Sequence, residues 1–205
     1  MTAPSMTTGK GRRAEVQRVR ILAAAKQCFI ERGFHAASMA NIAETAGMSP
    51  GLIYRYVENK SAVVLAIIEE QLEKVRGDIA ALDAECDLPE RTIARVNQWR
   101  DADPGIMNPA LFLEMSAEGT RDASIGAAIR ASDRQTRAEV ITWMCRPKAT
   151  GGLGLDREAA VVRALLMQCI MEGLAVRTVR EPDLDRNEVE RVVRLFFDCL
   201  LAPTR

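Results

Sequence analysis

Residues 49–60 read SPGLIYRYVENK and bring two phenolic hydroxyls (Tyr54, Tyr56), a guanidinium (Arg55) and an ammonium (Lys60) close together. Hydroxyls bind phosphate oxygens, and an ammonium grips them as a point charge. A guanidinium can donate to O6 and N7 of guanine at once. Pro50, Gly51 and Leu52 would present the front of such a segment to a major-groove floor, where Pro and Leu can meet thymine methyls. Ser38 and Ser49 are residues of the N-cap type, and backbone N–H groups at a helix start can hold a phosphate. The candidate nucleic-acid contacts are therefore Ser38, Ser49, Pro50, Gly51, Leu52, Tyr54, Arg55, Tyr56 and Lys60. Lone tyrosines more often pack half-buried, and a lone arginine is often a solvated charge. The close spacing favours the chemical reading here.

Those side chains need a scaffold, and the surrounding residues write one. A first helix is predicted from about Arg13, with Ile21, Ala24, Ala25, Cys28 and Phe29 forming one apolar stripe and Gly33 ending it. Ser38 caps a short helix through Ala46, and Gly47 supplies the positive φ of a tight turn. Ser49 caps a third helix from Pro50 to about Val57, with the proline at a position where its missing N–H costs nothing. Two short helices joined this way form a helix-turn-helix. Ala43 is small where the helices cross, and Ile53 plugs the second against the first helix of the domain. Asn59 caps a long fourth helix through roughly Ala84, carrying Val64, Ile67, Ile68, Leu72 and Val75 at helical spacing.

The run RILAAAKQCFIERGFHAASMANIAETAGMSPGLIYRYVENKSAVV resembles the N-terminal domain of TetR-family transcriptional regulators. The likeness covers about residues 16–66 without a gap. It rests on Ile21 to Ala25, Gly33-Phe34, Ile42-Ala43, Ala46-Gly47, Gly51, Ile53-Tyr54-Arg55-Tyr56 and Asn59-Lys60. Ala37, Cys28 and Val57 stand where Thr, Leu and Phe are usual, and Ala40 replaces a longer polar residue at the front of the second helix. The resemblance implies a DNA-binding regulator in which Tyr54 meets phosphate. It also implies that effector binding tilts the fourth helix and so changes the separation of two recognition helices in a dimer.

Length and composition agree with an all-α protein. The 205 residues are 48% hydrophobic and only 4% aromatic, and strong helix formers dominate. The expected architecture is an N-terminal three-helix helix-turn-helix domain plus a larger C-terminal helical bundle, about nine helices in all. Residues 1–12 read as a flexible basic tail, 13–60 as the DNA-binding domain, and 61–205 as the effector-binding and dimerisation domain. The tail residues Lys10, Arg12 and Arg13 either reach the DNA backbone or minor groove, or stay solvated. Lys+Arg and Asp+Glu balance at 28 each, yet residues 1–60 hold nine basic residues against four acidic, which points to an anionic partner for that part. Five cysteines form no CxxC pair and His35 is the single histidine, so no zinc site is expected. No cofactor, metal or membrane association is expected, and the absence of a signal-like N-terminal run suggests the cytoplasm.

Beyond residue 87, helices are predicted to Arg100, from Asn108-Pro109 to Glu118-Gly119, over 121–144, from Asp156 to about Arg180, and from Asp185 to Leu201, where Glu188 completes a capping box. The RPKATGGLGL stretch between the third and fourth of these is a loop. The last two helices suggest a homodimer interface built from Val162, Leu165, Leu166, Cys169 and Gly173 with Val189, Val192, Val193, Phe196, Phe197 and Leu200. The other reading is that both helices cover the monomer's own core. Trp99, Met107, Phe112, Met115, Trp143, Met144, Met167 and Met171 are candidates to line an adaptable apolar effector pocket, with Gln98, Glu114 and Gln168 as orienting polar groups. Core packing also explains any one of them. The function expected is a ligand-responsive regulator, a repressor that binds a palindromic operator in double-stranded DNA as a dimer and is released by a small, largely apolar effector. An architectural DNA binder is the alternative. A small all-helical enzyme lacks the nucleophile motif, phosphate loop or metal cluster it would need.

Overall fold

The structure is a computed structural model that describes residues 9–82 and 87–202. Among the described residues it is all-helical: α1 Gly9–Ala36, α2 Met39–Thr45, α3 Pro50–Ile53, α4 Lys60–Ala80, α5 Leu88–Arg100, α6 Pro109–Glu118, α7 Ala123–Cys145, α8 Arg157–Arg180 and α9 Arg186–Leu201. One 3-10 turn, Lys148–Thr150, lies in the glycine-rich loop. The chain divides into two compact units. The first holds residues up to Glu70 together with Glu114–Ala128; the second holds Gln71–Leu113 and the residues from Ile129 onward. The units do not part at residue 60, because α4, α6 and α7 each give a segment to both.

The first unit is organised by the α1 stripe. Ile21, Ala24, Ala25, Cys28 and Phe29 are all buried, as helical period requires of one inward face. Gly33 breaks α1 with φ 75° and ψ 160°, and Phe34 folds back so that its ring lies 5.3 Å from that of Phe29. The helix starts earlier than expected, at Gly9, and residues 1–8 of the predicted tail lie outside the described residues. Ile42 and Ala43 of α2, Ile53 of α3, and Val63, Val64 and Ile67 of α4 complete this core.

The second unit has its own core, in which Val96, Trp143, Met144, Ala160, Val193 and Phe197 are prominent. A tightly constrained loop follows α7. The Trp143 indole donates to Gly151 O at 3.1 Å, and Gly154 N–H donates to Arg146 O at 2.8 Å. A Cβ on Gly152 would lie 2.0 Å from Arg146 O, so only glycine fits there. Asp156 caps α8 through the Ala159 N–H. Asp185 caps α9 through the Asn187 N–H, one residue earlier than the capping box expected with Glu188.

The wide stripe predicted on α9 divides between two directions. Val189, Val193, Phe197 and Leu200 are buried in the second unit's core, and Phe196 is half-buried against it. Four of the expected interface residues are thus core residues of the subunit itself. Val192 remains exposed.

Replacing Ile53, which is fully buried, should cost about 2–5 kcal/mol as Ile53→Ala and about 0.5–1.5 kcal/mol as Ile53→Val. Urea unfolding monitored by circular dichroism measures both.

Candidate nucleic-acid interface

The candidate surface begins at the Ser38 cap. The Asn41 N–H donates to Ser38 Oγ at 3.1 Å, while Asn41 Oδ1 accepts from the Ser38 N–H at 3.0 Å and from its hydroxyl at 2.7 Å. Asparagine here plays the part glutamate or glutamine usually takes in a capping box. At the other end, Arg20 of α1 donates to Ala46 O at 2.6 Å and satisfies a carbonyl that α2 cannot. The turn follows with Gly47 at φ 63°, and the Met48 N–H donates to Ala43 O at 2.8 Å. Arg20 gave no sign of this role in the sequence, because nothing in its spacing sets it apart from other surface arginines.

Ser49 has the extended backbone of a cap (φ −71°, ψ 148°), but its side chain makes no capping hydrogen bond. Its backbone carbonyl accepts the Leu52 N–H at 2.9 Å instead. α3 itself spans only Pro50–Ile53, shorter than the helix to Val57 that was expected. Past Ile53 the hydrogen bonds are mixed: Arg55 N–H to Leu52 O and Tyr56 N–H to Ile53 O are i to i−3, and Val57 N–H shares Ile53 O at i to i−4, so the regular α pattern is not continued. Arg55 and Tyr56 therefore lie in the turn after α3. Ser49, Pro50, Gly51, Tyr54 and Arg55 are exposed, Leu52 and Tyr56 are half-buried, and Ile53 points into the core.

Lys60 departs from its expected role as a phosphate grip. Its Nζ donates to Phe34 O at 2.6 Å and Ala37 O at 2.9 Å, and sits 4.2 Å from the centre of the Phe34 ring. Burial lowers its pKa, and the Glu118 carboxylate partly offsets that. Glu118 is one of three carboxylates whose link to this region the sequence does not show. Glu114 Oε2 accepts the Phe34 N–H at 2.8 Å, Glu118 Oε2 lies 3.3 Å from His35 Nε2, and Asp122 Oδ2 accepts the Ser61 hydroxyl at 3.1 Å. Glu114 was expected to orient an effector. It anchors the α1–α2 turn instead. The signal available in the sequence was the i, i+4 spacing of Glu114 and Glu118, which puts those two on one side of α6 but names no target, while Asp122 lies beyond the end of that helix.

The family model for bacterial regulatory proteins of the tetR family matches residues 21–67. The HTH-type transcriptional activator FasR of Mycolicibacterium smegmatis is 31% identical over 165 residues, spanning 80% of this chain and 71% of FasR. The chain belongs to the TetR family. The HTH-type transcriptional regulator UidR of Escherichia coli K12 is 28% identical over 79% of this chain and 82% of its own. The solved structure of Salmonella enterica GusR matches with a TM-score of 0.70 at 24% identity, over 97% of this chain and 99% of that one. This TetR-family protein is a DNA-binding transcriptional regulator, as its matched relatives are.

Glu114 and the buried Met115 belong to the first unit, and the other candidate effector residues belong to the second. Trp143 and Met144 are core, at 1% and 0% exposure. Gln168 is engaged from both ends, accepting from Arg137 Nε at 3.0 Å and donating to Glu172 at 3.0 Å. Trp99, Met107, Phe112, Met167 and Met171 are half-buried.

α8 behaves differently from every other long helix. By length and composition it alone among the described residues is apolar enough to cross a membrane, with a mean hydropathy of 1.7, yet only 22% of that stretch is buried. Val162, Leu165 and Leu166 are exposed at 65%, 45% and 46%, and Cys169 and Gly173 continue the same face. Val192 and Leu195 of α9 are exposed as well.

Asp122 offers a test of the corner that carries these acids. The Ser124 hydroxyl and then the Ile125 N–H hold its carboxyl at about 2, below the ordinary 3.8. A folded-state pKa below the unfolded one stabilises above the unfolded value and is lost as pH falls through the folded value. Asp122→Ala should therefore lower the urea midpoint most at pH 5 and above, with the gap to wild type closing between pH 4 and pH 2.

Proposed function

We propose that this TetR-family regulator is a repressor that seats two helix-turn-helix units, one from each subunit of a symmetric dimer, on a palindromic operator. The observation that carries this is the outward α3 surface. Ile53 anchors the short helix in the core while Ser49, Pro50, Gly51, Tyr54 and Arg55 face solvent. The N-terminus of α2 behind the Ser38 cap and the hydroxyls of Ser49, Tyr54 and the partly covered Tyr56 then meet phosphates. Arg55 reads a guanine edge, and Pro50, Gly51 and Leu52 lie against the groove floor. Operator occupancy at a promoter represses by exclusion of polymerase and needs no further surface.

The exposed α8 face supports the dimer. Val162, Leu165, Leu166, Cys169 and Gly173 fall on one helical stripe, and Val192, Leu195 and the half-buried Phe196 extend it on α9. A second copy of the same face covers it through a two-fold axis, which also supplies the paired half-sites a helix-turn-helix needs. The effector is small and largely apolar, and the half-buried Trp99, Met107, Phe112, Met167 and Met171 of the second unit are the side chains for it. Methionines in such a lining repack around differing shapes.

Selection of genomic fragments by the purified protein should recover a near-palindrome, lost with Tyr54→Ala. Binding should fall by about 10³–10⁵ between 50 and 200 mM salt for a dimer that neutralises roughly 6–10 phosphates. Recovery without sequence preference, or equal recovery by the variant, overturns the reading. Separately, Leu166→Glu should sediment as a monomer and lose the palindrome while keeping its helical circular dichroism. A dimeric Leu166→Glu protein would place the interface elsewhere.

A further inference from the structure

The four residues between the Gly33 break and the Ser38 cap are held from two directions. From α6, Glu114 Oε2 accepts the Phe34 N–H at 2.8 Å. From the first residue of α4, Lys60 Nζ takes Phe34 O and Ala37 O, at the two ends of the same segment. The Phe34 ring covers the ammonium, and that ring is itself packed on Phe29. Glu118, 7% exposed, supplies the opposing charge, and its buried Oε2 has no hydrogen-bond partner among the described residues although His35 Nε2 is 3.3 Å away and Arg121 Nη1 3.9 Å. A carboxylate buried in that state is costly unless cations stand around it.

We propose that Lys60 is a positioning residue of the helix-turn-helix, turned inward to clamp the α1–α2 turn under the charge of Glu118, and not one of the groups that grips DNA phosphate. This rests on the DNA-binding reading above. Two of the three ammonium donors are used on the carbonyls of Phe34 and of Ala37, the residue before Ser38, so Lys60 sets the direction in which α2 leaves the turn. The orientation of α2 in turn carries α3. The Glu118 carboxylate also attracts that ammonium, which favours the inward position over one at a phosphate.

The two roles differ in salt dependence. Affinity for the fragment recovered with wild type is to be measured from 50 to 200 mM salt for wild type, Lys60→Met and Glu118→Gln, each below its own thermal transition. Removing one phosphate-gripping cation from each subunit would flatten the log–log slope by about 0.9 per cation, roughly 1.8 for a dimer. The expected result for Lys60→Met is about tenfold or more weaker binding at an unchanged slope, the scale set by losing charge-assisted hydrogen bonds. A flatter slope, or wild-type affinity in the folded variant, overturns the proposal.

Glu118→Gln reads the same question with opposite signs and decides it alone if Lys60→Met does not fold. A clamp that depends on Glu118 loosens, and affinity falls. A lysine that the carboxylate merely restrains from phosphate is released, and both affinity and slope rise. That second result overturns the proposal. Failure of wild type itself to select a fragment would reject the DNA-binding reading before either variant is compared.

Discussion

Burial of the Ile53 side chain keeps α3 a helix. Four residues are far below the roughly 12–15 at which an isolated helix becomes even marginal in water, so nothing local can hold Pro50–Ile53 in place. Ile53 is fully buried, and the neighbours that let it go in follow from that requirement. Ala43 is small enough for α3 to approach α2, Gly47 turns the chain between them, and Met48 is drawn under the turn by its bond to Ala43 O. Every exposed group on the outer face inherits its position from this one inward contact. Arg20 on Ala46 O and Lys60 on the α1–α2 turn fix α2, and through α2 they fix the frame in which Ile53 is seated.

Charged contacts in the first unit differ in weight. Lys26 and Glu70 meet at 2.7 Å, but both side chains are about a third exposed, and pairs of that kind contribute about 0–1 kcal/mol. Hydrogen bonds from a charged group to otherwise unsatisfied carbonyls are worth about 1.5–3 kcal/mol each. Lys60 makes two of these at a point where the chain changes direction. Glu114, Glu118 and Asp122 act at the same corner, each on a different group of α1, the following turn or α4. Geometry in this unit is therefore set by polar contacts at turns, while cohesion comes from the apolar stripe of α1.

Periodicity made the helices legible, including the inward face of α1 from Ile21 to Phe29, because one stripe at a 3.6-residue period has only one way to be buried. Ser38 was legible as a cap for a similar reason: its bonds are local. Tertiary choices were not legible. The six apolar residues on α9 span more than one face, and the sequence holds no mark separating Val193, which turns inward, from Val192, which does not. A lysine at a helix start can point out to solvent or back over the preceding turn, and the Phe34 ring and two carbonyls that draw Lys60 inward lie more than 20 residues away. Trp143 and Met144 looked like pocket lining by type, yet loop closure around Gly151 to Gly154 places the indole N–H on a backbone carbonyl and makes both residues core. The end of α3 was overestimated because tyrosine and valine at 54–57 fit a helix by pattern but are weak at extending one.

The bare apolar side of α8 also bears on how the protein responds to its own abundance. If subunits pair through Val162, Leu165 and Leu166 as proposed, the competent species forms in proportion to the square of free subunit concentration while dimers are scarce. Occupancy of a binding site then changes more steeply than expression does, until pairing saturates. On that pairing, a chain with an intact α8 and a damaged α3 would still be drawn into pairs, withdrawing sound subunits from use. On the proposed pairing, gene dosage, and not only binding chemistry, would be written into the exposed side of one helix.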